Sequence, residues 1–301
     1  VGLLPVIAVV GATAAGKSDL AVDLALRLGG DVINTDSMQL YRGMDIGTAK
    51  LTVSERRGVP HHLLDIWPVT RTASVAEYQG LVRPLIDRLR SADRAVVLAG
   101  GSGLYVRAAL DDLEFPGTDP AIRERLEKEL AEIGPAPLHE RLTRQDPVAA
   151  AQILPSNGRR IVRALEVIEL SGRPFSATMP SYDSVYDSVQ IGVEVPRPIL
   201  DERIALRVDR MWNAGLVEEV RRLAELGLAE GRTASRALGY AQVLRFLEGE
   251  WPEEQARDET IRATRRFARR QESWFRRDPR VVWLPFDAPD LTDRALALIR
   301  R

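Results

Sequence analysis

Eight consecutive residues near the start of the chain, Gly11, Ala12, Thr13, Ala14, Ala15, Gly16, Lys17 and Ser18, fit the pattern G-x-x-x-x-G-K-[ST] at every fixed position. The chemistry this pattern carries is phosphate binding. Backbone N–H groups converge in the curled loop and the following helix adds the positive end of its dipole. The lysine reaches terminal phosphate oxygens, and the hydroxyl holds Mg2+. The flanks suit this reading. Val6–Val10 is an apolar run fit for a buried strand, and Ser18–Leu28 places Leu20, Leu24 and Leu28 on one helical face. A phosphate compound, with Mg2+ held through Ser18, is expected here. The loop does not say which compound. Lys17 also stands out against the chain's own usage, because Lys50 and Lys128 are the only other lysines and the remaining cations are arginines.

Other segments offer chemistry with a plainer alternative beside it. Asp36, Ser37, Met38 and Gln39 follow a short segment read as a second strand, Asp31–Thr35. An aspartate at the carboxyl end of a strand can serve as general base or metal ligand, yet Asp-Ser is also a common Asx turn or helix cap. The segment 40–50 holds two glycines and few core candidates, and suits either ligand contact or scaffolding. After Ala95–Ala99 come Gly100, Gly101, Ser102 and Gly103, where a hydrolytic phosphate-loop NTPase usually places an aspartate. That missing acid weakens an ATPase reading and leaves a backbone a ligand can approach, with Ser102 as hydroxyl donor.

Arg159, Arg160 and Arg163 start a helical segment, where they oppose the helix dipole unless an anion is near. Arg203 and Arg207 are four apart and share a helix face. Nine arginines lie between Arg257 and Arg280, interleaved with Phe267, Trp274 and Phe275 and opposed by Asp258, Glu259, Glu272 and Asp278. This local basicity fits a directed anionic partner or a salt-bridged, solvated helix face.

These residues need elements to position them. Strand-like and helical segments alternate over the first third: Val6–Val10, Ser18–Leu28, Asp31–Thr35, Ser74–Arg90 and Ala95–Ala99. The pattern predicts an α/β fold with a phosphate-loop-NTPase-like parallel sheet, its ligands at the carboxyl ends of the strands. From Glu114 the chain reads as helix only: Asp119–Ile133, Leu138–Arg144, Pro147–Leu154 and Asn157–Leu170. Asp119 and Asp146 each precede a proline, as an N-cap precedes N1. Val189–Val195 resumes the sheet, helices return over 198–277, and Val281–Leu284 suits a last strand. The expected organisation is a core of 1–113 and 186–301 interrupted by an all-helical insertion, 114–185.

Composition narrows the function classes. The 301 residues are 45% hydrophobic and 28% charged with a net charge of −1, so the chain as a whole is not a polycation. It has no cysteine, which excludes disulfides, thiol catalysis and cysteine-ligated zinc. The three histidines, His61, His62 and His139, have no metal-ligand spacing, and the adjacent pair is expected in packing or capping. No apolar run reaches a membrane span. Val1–Val10 lacks the basic start of a signal peptide and is read as a strand. A cytoplasmic protein without membrane attachment is expected.

The assembled motifs resemble the bacterial tRNA dimethylallyltransferases, also called tRNA isopentenyltransferases. The resemblance covers nearly the whole chain. It comprises the loop at 11–18, Asp36-Ser-x-Gln-x-Tyr41, Gly43-Met-Asp-Ile-Gly-Thr-Ala-Lys50 and Pro60-His-His-Leu-Leu-Asp65. Gly100-Gly-x-Gly-Leu-Tyr105, Asp146-Pro-x-Ala-Ala, Arg160-x-x-Arg163-Ala-Leu-Glu-Val and Leu238-Gly-Tyr240 complete it. Departures are small: Ala12 replaces a frequent proline, Ala15 a frequent serine or threonine, and Ser102 a frequent threonine whose hydroxyl it keeps. The cysteine-bearing zinc extension of eukaryotic relatives is absent.

The resemblance implies a donor, dimethylallyl diphosphate, held by residues 11–18 and Arg207. It implies Mg2+ as cofactor, and a catalytic group of Asp36 as general base with Lys17, Ser18, Ser102 and Arg207 stabilising the leaving diphosphate. The acceptor would be the exocyclic amine of the adenine 3′ to the anticodon, in a tRNA anticodon stem-loop. The implied RNA contacts are Asp36, Ser37, Met38, Gln39 and Ser102, then Arg159, Arg160, Ile161, Val162 and Arg163, then Arg236, Gly239 and Gln242. Gln39 would hydrogen-bond the adenine bidentately. A monomer is expected. A small-molecule phosphate-loop kinase, a prenyltransferase for free nucleotide and a non-enzymatic RNA-binding adaptor are the competing readings.

Overall fold

The computed structural model describes residues 4–178 and 182–300. In chain order its strands and helices are β1 (Val6–Val10), α1 (Lys17–Leu28), β2 (Asp31–Asn34), β3 (His61–His62), α2 (Val75–Ser91), β4 (Val96–Ala99) and α3 (Gly103–Leu110). Then come α4 (Pro120–Ile133), α5 (Pro135–Gln145), α6 (Pro147–Gln152) and α7 (Gly158–Ser171). The chain continues through β5 (Ser188–Glu194), α8 (Arg197–Asn213), α9 (Leu216–Glu225), α10 (Tyr240–Leu247), α11 (Glu253–Phe275), β6 (Val281–Pro285) and α12 (Leu291–Ile299). Two compact units divide it, Val1–Leu110 with Ser184–Arg301, and Asp111–Asp183.

The first unit is built on one parallel sheet in the order β3-β2-β4-β1-β5-β6. β1 is central and all five of its residues are buried, as expected of a parallel strand covered on both faces. Because β4 and β5 flank β1 on opposite sides, a crevice opens beyond the carboxyl ends of β1 and β4, and the phosphate loop and the Gly100–Ser102 turn both emerge there. Leu20, Val22 and Leu24 of α1 join Val97, Ile191 and Val193 of the sheet in one core cluster. The loop between β1 and α1 curls because Gly16 adopts φ 97° and Ala14 φ 65°, both left-handed. Glycine holds that geometry freely; alanine holds it at a cost of about 1–2 kcal/mol, a strain typical of ligand-binding turns.

The histidine pair forms the short edge strand β3. His62 Nε2 lies 2.7 Å from Asp31 Oδ2, and His61 Nδ1 lies 2.9 Å from the Val59 carbonyl. Arg94 Nε donates to the same Asp31 carboxylate at 3.0 Å. Burial alone would raise the Asp31 carboxyl, but the hydrogen bonds from His62 and Arg94 hold it below its ordinary range. The pair thus stitches the sheet edge.

Asp111–Asp183 is a helical unit around Leu126, Leu138, Leu142, Ile153, Ile161, Val162 and Leu165. Asp119 caps α4 through the N–H groups of Ala121 and Ile122, and Asp146 caps α6 through the N–H of Ala149. Glu166 is fully buried on α7. Burial opposes its charge, yet Arg123, Thr118 and Arg163 together bring its carboxyl down to about 2.

Helices α3 and α12 and strand β3 were not legible as elements in the sequence. Each is short, and α3 follows directly on the glycine turn.

Candidate active site

Two cavities adjoin the phosphate loop within the first unit. One, of about 540 Å³, has Thr13, Asp36–Met38, Gly47–Ala49 and Gly101–Tyr105 in its walls. Its far side is one stripe of α11, Thr260, Thr264, Phe267, Gln271 and Trp274, with Val208 and Met211 of α8 beside it. The other, about 650 Å³, is lined by Ala14–Gly16, by Arg203, Arg207 and Arg210 of α8, and by the acidic side chains Asp19, Asp23, Asp290 and Asp293. Arg207 borders both, and its Nη1 lies 3.3 Å from Thr13 Oγ1. The arginine therefore stands where an anion on the loop and a group in the first cavity would meet. Burial lowers its pKa first and Arg210 and Arg203 add to that, against Asp19, which favours its charge.

Lys17 Nζ is drawn back onto the loop, donating to the Ala12 carbonyl at 2.6 Å. Burial and the neighbouring Arg207 pull its amine down to about 7, with Asp36 opposing them. Asp36 is held by its own turn. Its Oδ1 accepts from the Met38 N–H at 2.9 Å, and its N–H donates to Asn34 Oδ1 at 2.8 Å. Burial raises the Asp36 carboxyl above its ordinary value, although the Met38 N–H and Lys17 oppose this. A carboxylate made more basic, in the wall of a cavity, suits proton abstraction. Ser102 Oγ accepts from the Ser37 N–H at 3.3 Å and lies 3.4 Å from Ser37 Oγ, so both hydroxyls sit beside Asp36.

The 40–50 segment is scaffold and wall at once. Lys50 is buried, with Nζ 2.7 Å from Asp45 Oδ1, 2.6 Å from Asp65 Oδ1 and 3.1 Å from the Tyr41 carbonyl. Buried Glu219 accepts the N–H groups of Asp45, Ile46 and Gly47 and, at 2.5 Å, the Tyr240 hydroxyl. These ties present Gly47, Thr48 and Ala49 to the first cavity.

The family model described as IPP transferase matches residues 39–278. The chain belongs to the IPP transferase family. A tRNA dimethylallyltransferase of Thermobifida fusca is 71% identical over 299 residues, covering 98% of this chain and 94% of the relative. One from Streptomyces coelicolor is 70% identical, covering 98% and 96%. Among solved structures, the full-length tRNA isopentenylpyrophosphate transferase from Bacillus halodurans is 40% identical, with a TM-score of 0.73 over 98% of this chain and 94% of that one. A eukaryotic dimethylallyltransferase caught acting on tRNA has a TM-score of 0.83 at 23% identity over 97% of this chain and 77% of that one, a likeness of fold.

Within this IPP transferase chain the structure gathers Thr13, Asp36, Ser37, Met38, Ser102, Arg207 and Arg236 around one cavity. Gly11 and Ala12 are buried at the loop's root, and Ser18 is half-buried in the first turn of α1. Several of the expected RNA-contact residues have partners or burial within the chain. Gln39 is absent from the cavity wall, and its Nε2 donates to the Thr48 carbonyl at 3.1 Å. Ile161 and Val162 are core residues of the helical unit, so their side chains meet no ligand. Arg163 is spent on structure, donating to the carbonyls of Pro116 and Gly117 and to Glu166 Oε2 at 2.8 Å. Arg159 and Arg160 remain exposed. Gly239 is buried at φ 86°, and its N–H donates to Gln242 Oε1 at 2.8 Å, so this pair starts α10.

The arginine run on α11 is largely paired. Arg257 meets Asp209, Arg262 and Arg266 meet Glu259, Arg265 meets Asp201, and Arg276 meets Glu194. Sequence reading passed over Gln271 and Glu219, because a lone glutamine among arginines and a glutamate in a helix's first turn carry no motif.

Proposed function

We propose that this chain transfers the dimethylallyl group of dimethylallyl diphosphate to the exocyclic N6 amine of the adenosine 3′ to the anticodon, position 37, of tRNA, releasing diphosphate. The observation that carries this reading is Asp36 and Arg207 facing one cavity at the mouth of a phosphate loop. That arrangement sets a base for the acceptor beside cations for the leaving group. In the reaction, N6 forms a bond to C1 of the donor while the C1–O bond breaks. The electron pair leaves on diphosphate, and the N6 proton passes to Asp36. Arg207 and protonated Lys17 stabilise the charge that builds on the leaving oxygens. Val208, Met211, Leu104 and Phe267 offer the prenyl chain an apolar wall. The adenine must leave its stack to enter, as in other enzymes acting on a base.

For Mg2+, no cluster of three His, Cys, Asp or Glu side chains suited to a metal exists among the described residues. The donor set nevertheless fits this ion. Mg2+ keeps several waters and binds through one or two protein groups plus substrate phosphates, and Ser18 Oγ at the loop would be the protein group. When bound it would neutralise charge on the diphosphate. No helix among the described residues is long and apolar enough to cross a membrane, and we place the reaction in the cytoplasm.

Mass spectrometry of adenosine from tRNA incubated with the protein, dimethylallyl diphosphate and Mg2+ tests the proposal. A mass gain of one dimethylallyl group at that adenosine is expected, and unmodified tRNA would reject it. Lys17 gives a second handle. With its free value near 7, it is already charged below pH 7 and donor affinity is insensitive to it there. Above pH 7 it must gain a proton on binding, so affinity falls as pH rises, approaching about tenfold per unit. Calorimetry at pH 8 in buffers of different ionisation enthalpy should show uptake of nearly one proton, lost in Lys17→Met. Equal uptake by the variant would assign the proton elsewhere.

Arg159 and Arg160 are the exposed cations of the expected RNA-contact helix. Their joint replacement by alanine should weaken tRNA binding and flatten the dependence of log affinity on log salt by about 1.5, while donor binding is spared. An unchanged slope would remove both from the RNA interface. Arg163→Ala should instead lower thermal stability, because it strips a buried carboxylate of a partner.

A further inference from the structure

We infer that Gln271 is a positioning residue that sets the distance between the donor loop and the acceptor loop. The inference rests on the proposed transferase reading. Gln271 lies in the α11 stripe and is 5% exposed. Its Oε1 accepts from the Thr13 N–H at 2.9 Å, and its Nε2 donates to the Gly101 carbonyl at 3.0 Å. Both ends of one planar amide are thus committed to backbone atoms of two loops far apart in sequence. Thr13 belongs to the phosphate loop and touches Arg207. Gly101 precedes Ser102, which receives the Ser37 N–H next to Asp36. The groups that hold the leaving diphosphate and the groups that face the amine are therefore held in register through this side chain.

The chemistry asks for such a link. N6 and C1 must sit about 3–3.5 Å apart and in line, and an error near 1 Å lowers the rate by about 10²-fold without loosening either substrate. An amide suits the task because it donates at one end and accepts at the other. A carboxylate only accepts, and a thioether is a weak acceptor with no donor. Gly101 completes the arrangement. A Cβ there would come within 2.1 Å of Gln271 Nε2, while the nearest atom of another residue, the Gly11 carbonyl oxygen, is 3.5 Å away. Gly101→Ala therefore displaces the amide and little else.

Steady-state kinetics of Gln271→Ala, Gly101→Ala and the double variant test the inference, with Gln271→Met as the volume-conserving check on folding. Each single variant should lose about 10²-fold in kcat with both KM values within about threefold of the parent. The double variant should be no slower than Gln271→Ala, because the methyl has then nothing to evict. Independent, multiplicative losses, or losses confined to KM, would overturn the role. Amide hydrogen exchange gives a readout free of activity. The Thr13 N–H should exchange faster in Gln271→Met at unchanged global protection, and unchanged protection would likewise overturn the link. A parent protein that leaves tRNA unmodified would reject the transferase reading, while hydrogen exchange still decides the link itself.

Discussion

Asp36→Asn is expected to lower kcat by about 10²–10⁴-fold with little change in the binding of either substrate. The substitution is close to isosteric and separates the two roles the segment allows. Asparagine keeps an oxygen to accept the Met38 N–H, so the turn that Asp36 builds survives. What it cannot do is take a proton from the amine. The residue also favours the charged form of Lys17, and its neutralisation should pull that amine further below about 7. Donor affinity is therefore best compared near pH 6, where this secondary effect is smallest. An unchanged kcat would return Asp36 to a turn-forming role and leave the acceptor amine to lose its proton to water.

The second large effect concerns the acceptor. AMP should be poorer than an anticodon stem-loop by at least about 10³-fold in kcat/KM, with part of that loss in kcat. Beside Asp36 the first cavity offers one base a small polar patch with Ser37 and Ser102, in a wall whose accessible surface is mostly apolar. That is little binding energy with which to desolvate and orient an amine. The remainder must come from RNA beyond the target base, and Arg159, Arg160 and Arg236 are exposed cations proposed to meet it. Remote contacts of this kind are used to hold the reacting atoms in place, so truncating the RNA should slow the bound complex as well as weaken it. A side-by-side assay of AMP, stem-loop and full-length tRNA decides the matter. Comparable kcat/KM for AMP would indicate a prenyltransferase for free nucleotides.

The sequence disclosed those parts of the site whose chemistry is written in contiguous residues. The phosphate loop needs its glycines, lysine and hydroxyl in a fixed order, and the parallel sheet needs β1 as an unbroken apolar run, so both are readable from spacing alone. Asp36 was readable as a candidate because it ends a strand. Arg163 shows what spacing leaves out. A charged residue at a helix start looks like an anion contact until the fold sets a buried glutamate and two carbonyls against it. Gln39 is similar, its amide donating to a carbonyl nine residues on. Gln271 and Glu219 stayed hidden for the opposite reason. Their partners are backbone atoms of distant segments, and backbone atoms leave no trace in residue type.

The scarcity of lysine makes the donor site addressable by covalent chemistry. Lys128 stands at the surface beside Glu132, and Lys50 is sealed between Asp45 and Asp65, out of a reagent's reach. Lys17, half-buried and pulled down to about 7, has a large neutral fraction at pH 7. An acylating reagent used briefly at that pH should tag Lys17 ahead of the others, and dimethylallyl diphosphate should shield it. Peptide mapping of the tag then reads donor-site occupancy directly, with no turnover and no RNA. Equal tagging with and without the diphosphate would place the donor away from this lysine.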